Sequence, residues 1–392
     1  MSETQLEPAV LRPSGFRFGA VSSRTAFRAV GSPAPSLGPL ADFTGTFTGN
    51  GFNTIFRPQS TATPTPLPVP VPSSDNILEL NLTTETLSFS TSLGSVPNRG
   101  MVQGDIFLNG VPYLQVISDI TVPSQPVGIH FEPGLWVIVP PTTNPAEGTT
   151  LVRMASIPHG TTIEAQGTSA TKAGAPTIPP VDITPFVTAP PNKKIAFPSQ
   201  TATDNNTARI PQDLSAFIVA GTITQAILTD PNTLLRNHIA SQNIISTTTI
   251  FVSTDPANPL FGGGADNIAF LLGTPAAQAN PAPAGPNAQT LKMTAVFWIE
   301  TVEHVIEVPI YKPGQPPLKI QAQTGAAGQP VPKFLVIPPE EIKEPRQIKV
   351  TTTQIQYSQQ VFLNFNALTW PHVSVATLVP SEPIPVPPSA WE

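Results

Sequence analysis

The chain contains no cysteine, and only 11% of its 392 residues are charged. Without cysteine there is no disulfide, no thiolate metal ligand and no thiol nucleophile. The absence suits a reducing compartment, although secreted proteins without cysteine exist. Sparse charge, against about 25% in an ordinary domain, stands beside 40% hydrophobic residues. Disordered chains have the reverse profile, so a folded protein with a real core is expected. The net charge of −6 is spread thinly, and Lys193-Lys194 is an isolated basic pair. Nucleic-acid binding needs concentrated cations, so no such partner is expected. Scattered acidic residues argue against a calcium cage. The apolar run around Leu135 to Val139 is far too short to span a bilayer, and Met1 to Gly15 has no apolar core segment like that of a secretory signal. The expectation is a cytoplasmic protein without a membrane span.

What the chain has in quantity is proline, 50 residues of it. Proline breaks helix interiors and central strands, so these residues belong to loops, edges and extended arms. Residues 1–38 read as such an arm. From Phe43 to Phe52, aromatic and small residues alternate with a period near two, the mark of a strand. Ile77–Leu82 and Leu87–Ser90 read as strands parted at Thr83–Thr86. Ile106–Leu108 and Tyr113–Ile117 read as a hairpin turning at Asn109-Gly110. Ile129–Val139 follows, bulged at Pro133-Gly134, and Leu151–Ala155 and Thr161–Gln166 flank a turn at Pro158-His159-Gly160. A helical island lies near 208–241, with Pro211 and Asp230 as start signals and Gly221 as a stop. Strands return at Ile244–Ser253, Ile268–Leu272 and Lys292–Val302, with glycine- and proline-rich loops between them. Further strands are expected at Gln347–Ile355, Val361–Phe365 and Val373–Leu378, before a polyproline-type tail from Pro380.

Many short strands with turn signals imply a mainly β protein. The expected fold is an antiparallel calycin- or lipocalin-like β-barrel with a small helical insertion and Pro-rich extended arms. The division expected is an arm over 1–38, a barrel domain over 39–305 and a C-terminal β section over 306–392. The C-terminal strands either add a second sheet or extend the barrel.

No phosphate loop, dinucleotide fingerprint, nucleophile elbow or metalloprotease helix is present. None of the five histidines is paired at metal-ligand spacing. His238 reads as a surface residue of a helix, and His304 and His372 as structural residues near strand ends. His130 and His159 sit beside turns of the barrel region, with Glu132 and Arg153 near in sequence. A histidine there can act as acid–base or ligate haem iron. Tyr113, Trp136 and Trp298 stand in apolar strands, where a minority of such residues line pockets.

Phe43-Thr44-Gly45-Thr46-Phe47-Thr48-Gly49-Asn50-Gly51 resembles the opening of nitrobindin-like barrels, with Phe47 in place of a tryptophan. In the same order, Gly110–Gln115, Gly128–Trp136, Ser156–Glu164 and Leu291–Phe297 resemble later segments of that family. The resemblance covers about residues 40–168 and the strand near 291–300. The whole chain also resembles a microbial group labelled haem-binding or peroxidase-like. The resemblance implies a ten-stranded calycin-type barrel that holds haem. Lys292 stands where that family has its haem-ligating histidine.

Three readings of function follow. One is the binding of haem or another bulky hydrophobic small molecule inside the barrel. Another is an enzyme using that cavity, either haem peroxidase-like or a cofactor-free cyclase or isomerase acting on a polyene or terpenoid. The third is a structural or assembly protein whose Pro-rich arms build a homo-oligomer. The expected site comprises Phe47, Phe52, Tyr113, His130, Trp136, Arg153, His159 and Lys292, with His159 or His130 on the metal if haem is bound. Glycines 45, 49 and 51 are expected to leave room at its wall.

Overall fold

Alternating segments rich in Thr, Val, Ile and Phe form ten long strands. The structure is a computed structural model and describes residues 34–59, 64–71, 76–189, 192–255, 263–267, 287–323 and 329–392. The strands are β1 (Gly45–Arg57), β2 (Ile77–Phe89), β3 (Ile106–Asp119), β4 (Val127–Val139), β5 (Thr150–Ser156), β6 (Thr161–Ala173), β7 (Asn243–Ser253), β8 (Gln289–Val308), β9 (Arg346–Phe365) and β10 (Leu368–Pro380). Each pairs antiparallel with the next in sequence, and β10 pairs back onto β1. The result is a closed ten-stranded up-and-down barrel, with no free edge in the cylinder.

Period two decides what faces inward. Phe47, Leu87, Phe89, Val111, Tyr113, Trp136, Ile138, Leu151, Phe297, Ile355, Tyr357 and Leu378 belong to one buried interior cluster. Its rings interlock: Phe43 stacks on Phe89 with centroids 4.6 Å apart, Trp136 meets Phe297 edge-on at 5.2 Å, and Phe297 stacks on Tyr357 at 5.5 Å. A 3-10 turn at Gly38–Leu40 carries Leu40 and Phe43 into that cluster and plugs one end of the barrel. The opposite end is the mouth.

Three short helices, α1 (Ser215–Ala220), α2 (Gln225–Thr229) and α3 (Asn232–Ile239), lie between β6 and β7 in sequence. They cover the outer wall, where Leu214, Ile227, Leu228 and Leu235 pack with Phe52, Phe56, Leu78, Leu80, Val373 and Val375. These stretches of β1, β2 and β10 are therefore buried on both faces. A small sheet of Leu318–Gln321, Lys333–Val336 and Ile384–Pro385 packs onto Ile306, Val308, Ile348 and Val350, where β8 and β9 run on as a two-stranded ribbon.

The barrel does not end at residue 305. Residue 306 falls inside β8, and the C-terminal section supplies β9 and β10, which close the cylinder. Asn109-Gly110 makes no turn; β3 runs straight through it, and Gly110 has no positive φ. Glycine is required there by close approach, since a Cβ on it would stand 2.4 Å from Trp136 O. Asn109 instead donates to Pro35 O and accepts from Gly94 N, tying down the chain before the plug. β2 continues through Thr83–Thr86, and β9 is one strand of 20 residues. The irregularity expected at Pro133-Gly134 occurs at Ile129 instead. The arm over residues 1–33, the strand expected at Ile268–Leu272 and the loop Ala276–Pro286 lie outside the described residues.

Candidate functional site

Strand parity aims a set of polar side chains into the barrel above the aromatic core. Thr83 and Glu85 come from β2, Tyr113 and Gln115 from β3, His130 and Glu132 from β4, Arg153 from β5, and Tyr357 and Gln359 from β9. Glu132 and Arg153 form an ion pair at 2.6 Å, with 0% and 1% of their side chains exposed. Tyr113 donates its hydroxyl to Glu132 and accepts from Arg153 Nε at 2.9 Å. Arg153 also donates to Gln359 Oε1 at 2.6 Å and lies over the Trp136 and Phe297 rings. An arginine buried this deeply needs partners and favourable ring faces; here each guanidinium nitrogen donates one hydrogen bond and the rings supply the faces. Gly134 makes the geometry accessible: a Cβ there would stand 2.4 Å from the Tyr113 ring.

A second carboxyl lies beside the first without a cation of its own. Glu85 accepts from Tyr357 Oη at 2.7 Å, from Gln115 Nε2 at 3.3 Å and from Thr83 Oγ1 at 3.3 Å. Burial pushes Glu85 up to about 7, against hydrogen bonds from Tyr357, Gln115 and Thr83 that favour its charge. Burial acts on Glu132 in the same direction, but Arg153 and His130 override it and hold Glu132 near 2. Burial also raises the Tyr113 and Tyr357 hydroxyls well above their ordinary value, so both stay protonated donors. The interior thus pairs an ionised carboxylate with one that holds its proton near neutrality.

Three histidines gather at the mouth above this layer. His130 Nε2 is 3.0 Å from Glu132 Oε2, and the His130 and His159 rings meet edge-on at 5.2 Å. His159 is exposed on the turn between β5 and β6. Burial, with the charges of His130 and His159, pushes His372 on β10 down to about 3. Among the described residues His372 Nε2 has no hydrogen-bond partner, and neither does Asn53 Oδ1 on β1.

Of the residues expected from sequence, Tyr113, His130, Trp136, Arg153, Phe47 and His159 come together in the barrel, with Trp136 and Phe47 in its packed core. Two stand elsewhere. Phe52 lies on the outer wall under the helices. Lys292 also points outward, because Met293 takes the interior position after a register shift between Thr290 and Lys292. Its Nζ is 3.8 Å from Asp255 and lies over the Phe362 ring. Gly49 does not leave room at a cavity wall: a Cβ there would stand 1.9 Å from Thr377 O, so it serves strand contact. His238 is buried rather than on the surface, bonded through Nδ1 to Thr377 Oγ1 at 2.6 Å. His304 bonds to Thr352 Oγ1 at 3.1 Å, outside the barrel site.

Sequence reading missed Glu85, Gln115, Tyr357, Gln359, His372 and Asn53 as site residues. For Glu85 a signal existed, since it is in phase with the inward Leu87 and Phe89. His372 offered none, because the residues alternating with it on β10 are apolar too.

The fit to haem is poor. His130 Nε2 is engaged by Glu132, Lys292 is outside the barrel, and interlocked rings fill the core. Among the described residues no group of three or more His, Asp or Glu side chains is arranged to hold a metal ion. A depression of about 780 Å³ lies away from the histidines, lined by Pro133, Leu135, Met154, Glu164 and Gly263–Ala265. Among the described residues that line it, Glu164 is the one titratable group. No protein-family model, curated protein or solved structure matches the chain.

Proposed function

We propose that this protein binds an apolar small molecule at the histidine-lined mouth of its barrel. One observation carries the reading. His130, His159 and His372 lie toward one barrel end, where buried polar atoms of His372 and Asn53 have no partner among the described residues. Buried polar groups are normally satisfied, and exceptions concentrate where something else completes them. Haem is a weaker candidate than an apolar organic molecule, for the reasons of fit given above. The five histidines provide their own control. Titration with the neutral fluorophore N-phenyl-1-naphthylamine, followed by ring-nitrogen NMR, should move the His130, His159 and His372 signals and leave His238 and His304 still. Fluorophore binding that leaves those three unmoved would place the site elsewhere.

A catalytic reading has one specific observation in its favour. Two carboxyls in the same interior have their protonation equilibria pushed apart, Glu85 to about 7 and Glu132 to about 2. Such a split is how acid and base roles are assigned in active sites. It supports acid–base chemistry on a confined substrate, an isomerisation or cyclisation, with Glu85 as the proton-holding group.

A further inference from the structure

The partnerless atoms at the mouth also constrain the head group of the ligand. Asn53, Ser374 and Gln359 form one inward row across β1, β10 and β9: Asn53 pairs with Ser374, and Ser374 with Gln359. Asn53 is inward because it follows Gly51, whose Cβ direction meets Thr83 and Ala376 of the interior. It is only 9% exposed. One step nearer the mouth, His372 pairs with Val361, which packs on the interior cluster. His372 lies one inward position beyond the Ser374–Gln359 pair, as His130 lies one inward position beyond Glu132, and Gln359 and Glu132 are bridged by Arg153.

Among the described residues, Arg153 is the one arginine or lysine buried in this interior, and it is committed. Arg153 donates from each of its three nitrogens to a protein oxygen, on Tyr113, Gln359 and Glu132, and its charge is paired with the Glu132 carboxylate. A carboxylate entering here would lose its water without gaining a buried counter-ion. A neutral O–H group can donate and accept at once, and an amide or imidazole can meet it in either direction. Val361 beside His372, Met293 of the interior cluster and Ile117, which pairs with His130, give an apolar surface for a hydrocarbon skeleton.

We propose that the mouth selects a neutral, hydroxyl-bearing apolar molecule, its hydroxyl directed to His372 Nε2 and Asn53 Oδ1. This rests on the mouth being the ligand site. Geraniol and geranate share a skeleton and differ in head group, so they serve as probes. At pH 8, calorimetric titration of the full chain should show geraniol binding at least tenfold tighter than geranate. His372→Phe and Asn53→Leu should each weaken geraniol at least fivefold, and His372→Gln should restore part of the loss. Lys292→Ala should leave it unchanged. Urea unfolding of each variant shows whether the barrel is intact; if His372→Phe does not fold, the Gln and Asn53→Leu variants decide. Equal affinity for geranate, or geraniol binding indifferent to both residues, overturns the assignment. If geranate alone moves the mouth histidines in NMR, the head-group assignment fails and the site survives. If neither probe binds while N-phenyl-1-naphthylamine moves those histidines, the hydroxyl assignment again fails alone; if none of the three binds there, both fall.

Discussion

At the scale of single residues, the Glu132–Arg153 pair is the point of greatest energetic exposure. Both side chains are out of water; among the described residues Glu132 is the one carboxylate bonded to Arg153, while Glu132 also meets His130 Nε2 at 3.0 Å. Desolvating two ions is costly, and such a pair adds little over a well-packed apolar pair; removing one partner is what hurts. Glu132→Gln keeps the shape and strands the guanidinium. The expected loss is about 3–5 kcal/mol, read from urea unfolding. Replacing both members, Glu132→Leu with Arg153→Leu, should recover much of it. A single-substitution loss below about 1 kcal/mol would show the charge of Arg153 to be compensated from elsewhere.

At the scale of elements, the strands were legible wherever only one face is buried, and poorly legible elsewhere. Phe43–Phe52 alternates cleanly, and β1 is there. Thr83–Thr86 looked like a break because a buried glutamate and three threonines interrupt the apolar pattern, yet Glu85 is inward and satisfied. The same holds for Gln356–Gln360 in β9, where Tyr357 and Gln359 enter the polar layer and Gln356 bonds to Leu235 O on the helix side. A polar layer inside a barrel looks like loop sequence until its partners, up to 272 positions away, are known. His130, Arg153 and Tyr113 were found because they flank turns or stand out among few aromatics; their shared carboxylate needed the fold. Glycines separate in the same way. Gly49→Ala would drive a Cβ onto Thr377 O across the β1–β10 seam, whereas a Cβ on Gly128 meets nothing within 4 Å. The first substitution should cost about 1–3 kcal/mol or more, as overpacking does. The second should stay within about 0.5 kcal/mol. Equal costs in thermal unfolding would mean the seam relaxes freely.

At the scale of the whole molecule, the barrel hides titratable groups of opposite habit, and together they set its response to pH. Burial raises Glu85 from 4.5 to about 7 and Glu300, on the outer wall beside Gln354, from 4.5 to about 8. A raised folded value means the folded state holds the proton more tightly. These two contributions are complete below pH 4.5 and are lost as pH rises through 7 and 8. Burial lowers His238 from 6.5 to about 4 and His372 from 6.5 to about 3. Their contributions are complete above pH 6.5 and are lost as pH falls through 4 and 3. Glu132, near 2, adds to the acid-side loss below 4.5. Between pH 4.5 and 6.5, the contributions of Glu85 and Glu300 fall with rising pH and those of His238 and His372 rise, at about 1.4 kcal/mol per unit for each full proton. The slopes largely cancel, so these groups give a plateau across that interval, falling away on both sides. Glu300→Gln removes one descending member and leaves the histidines unopposed by it. Its stability should then climb across the plateau, by about 1–3 kcal/mol between pH 4.5 and 6.5 relative to the parent chain. Urea unfolding at half-unit steps of pH reads this directly. Parallel pH profiles for the parent and Glu300→Gln would mean that Glu300 is ionised in the fold, with water or a cation at Oε1, the oxygen that has no partner among the described residues.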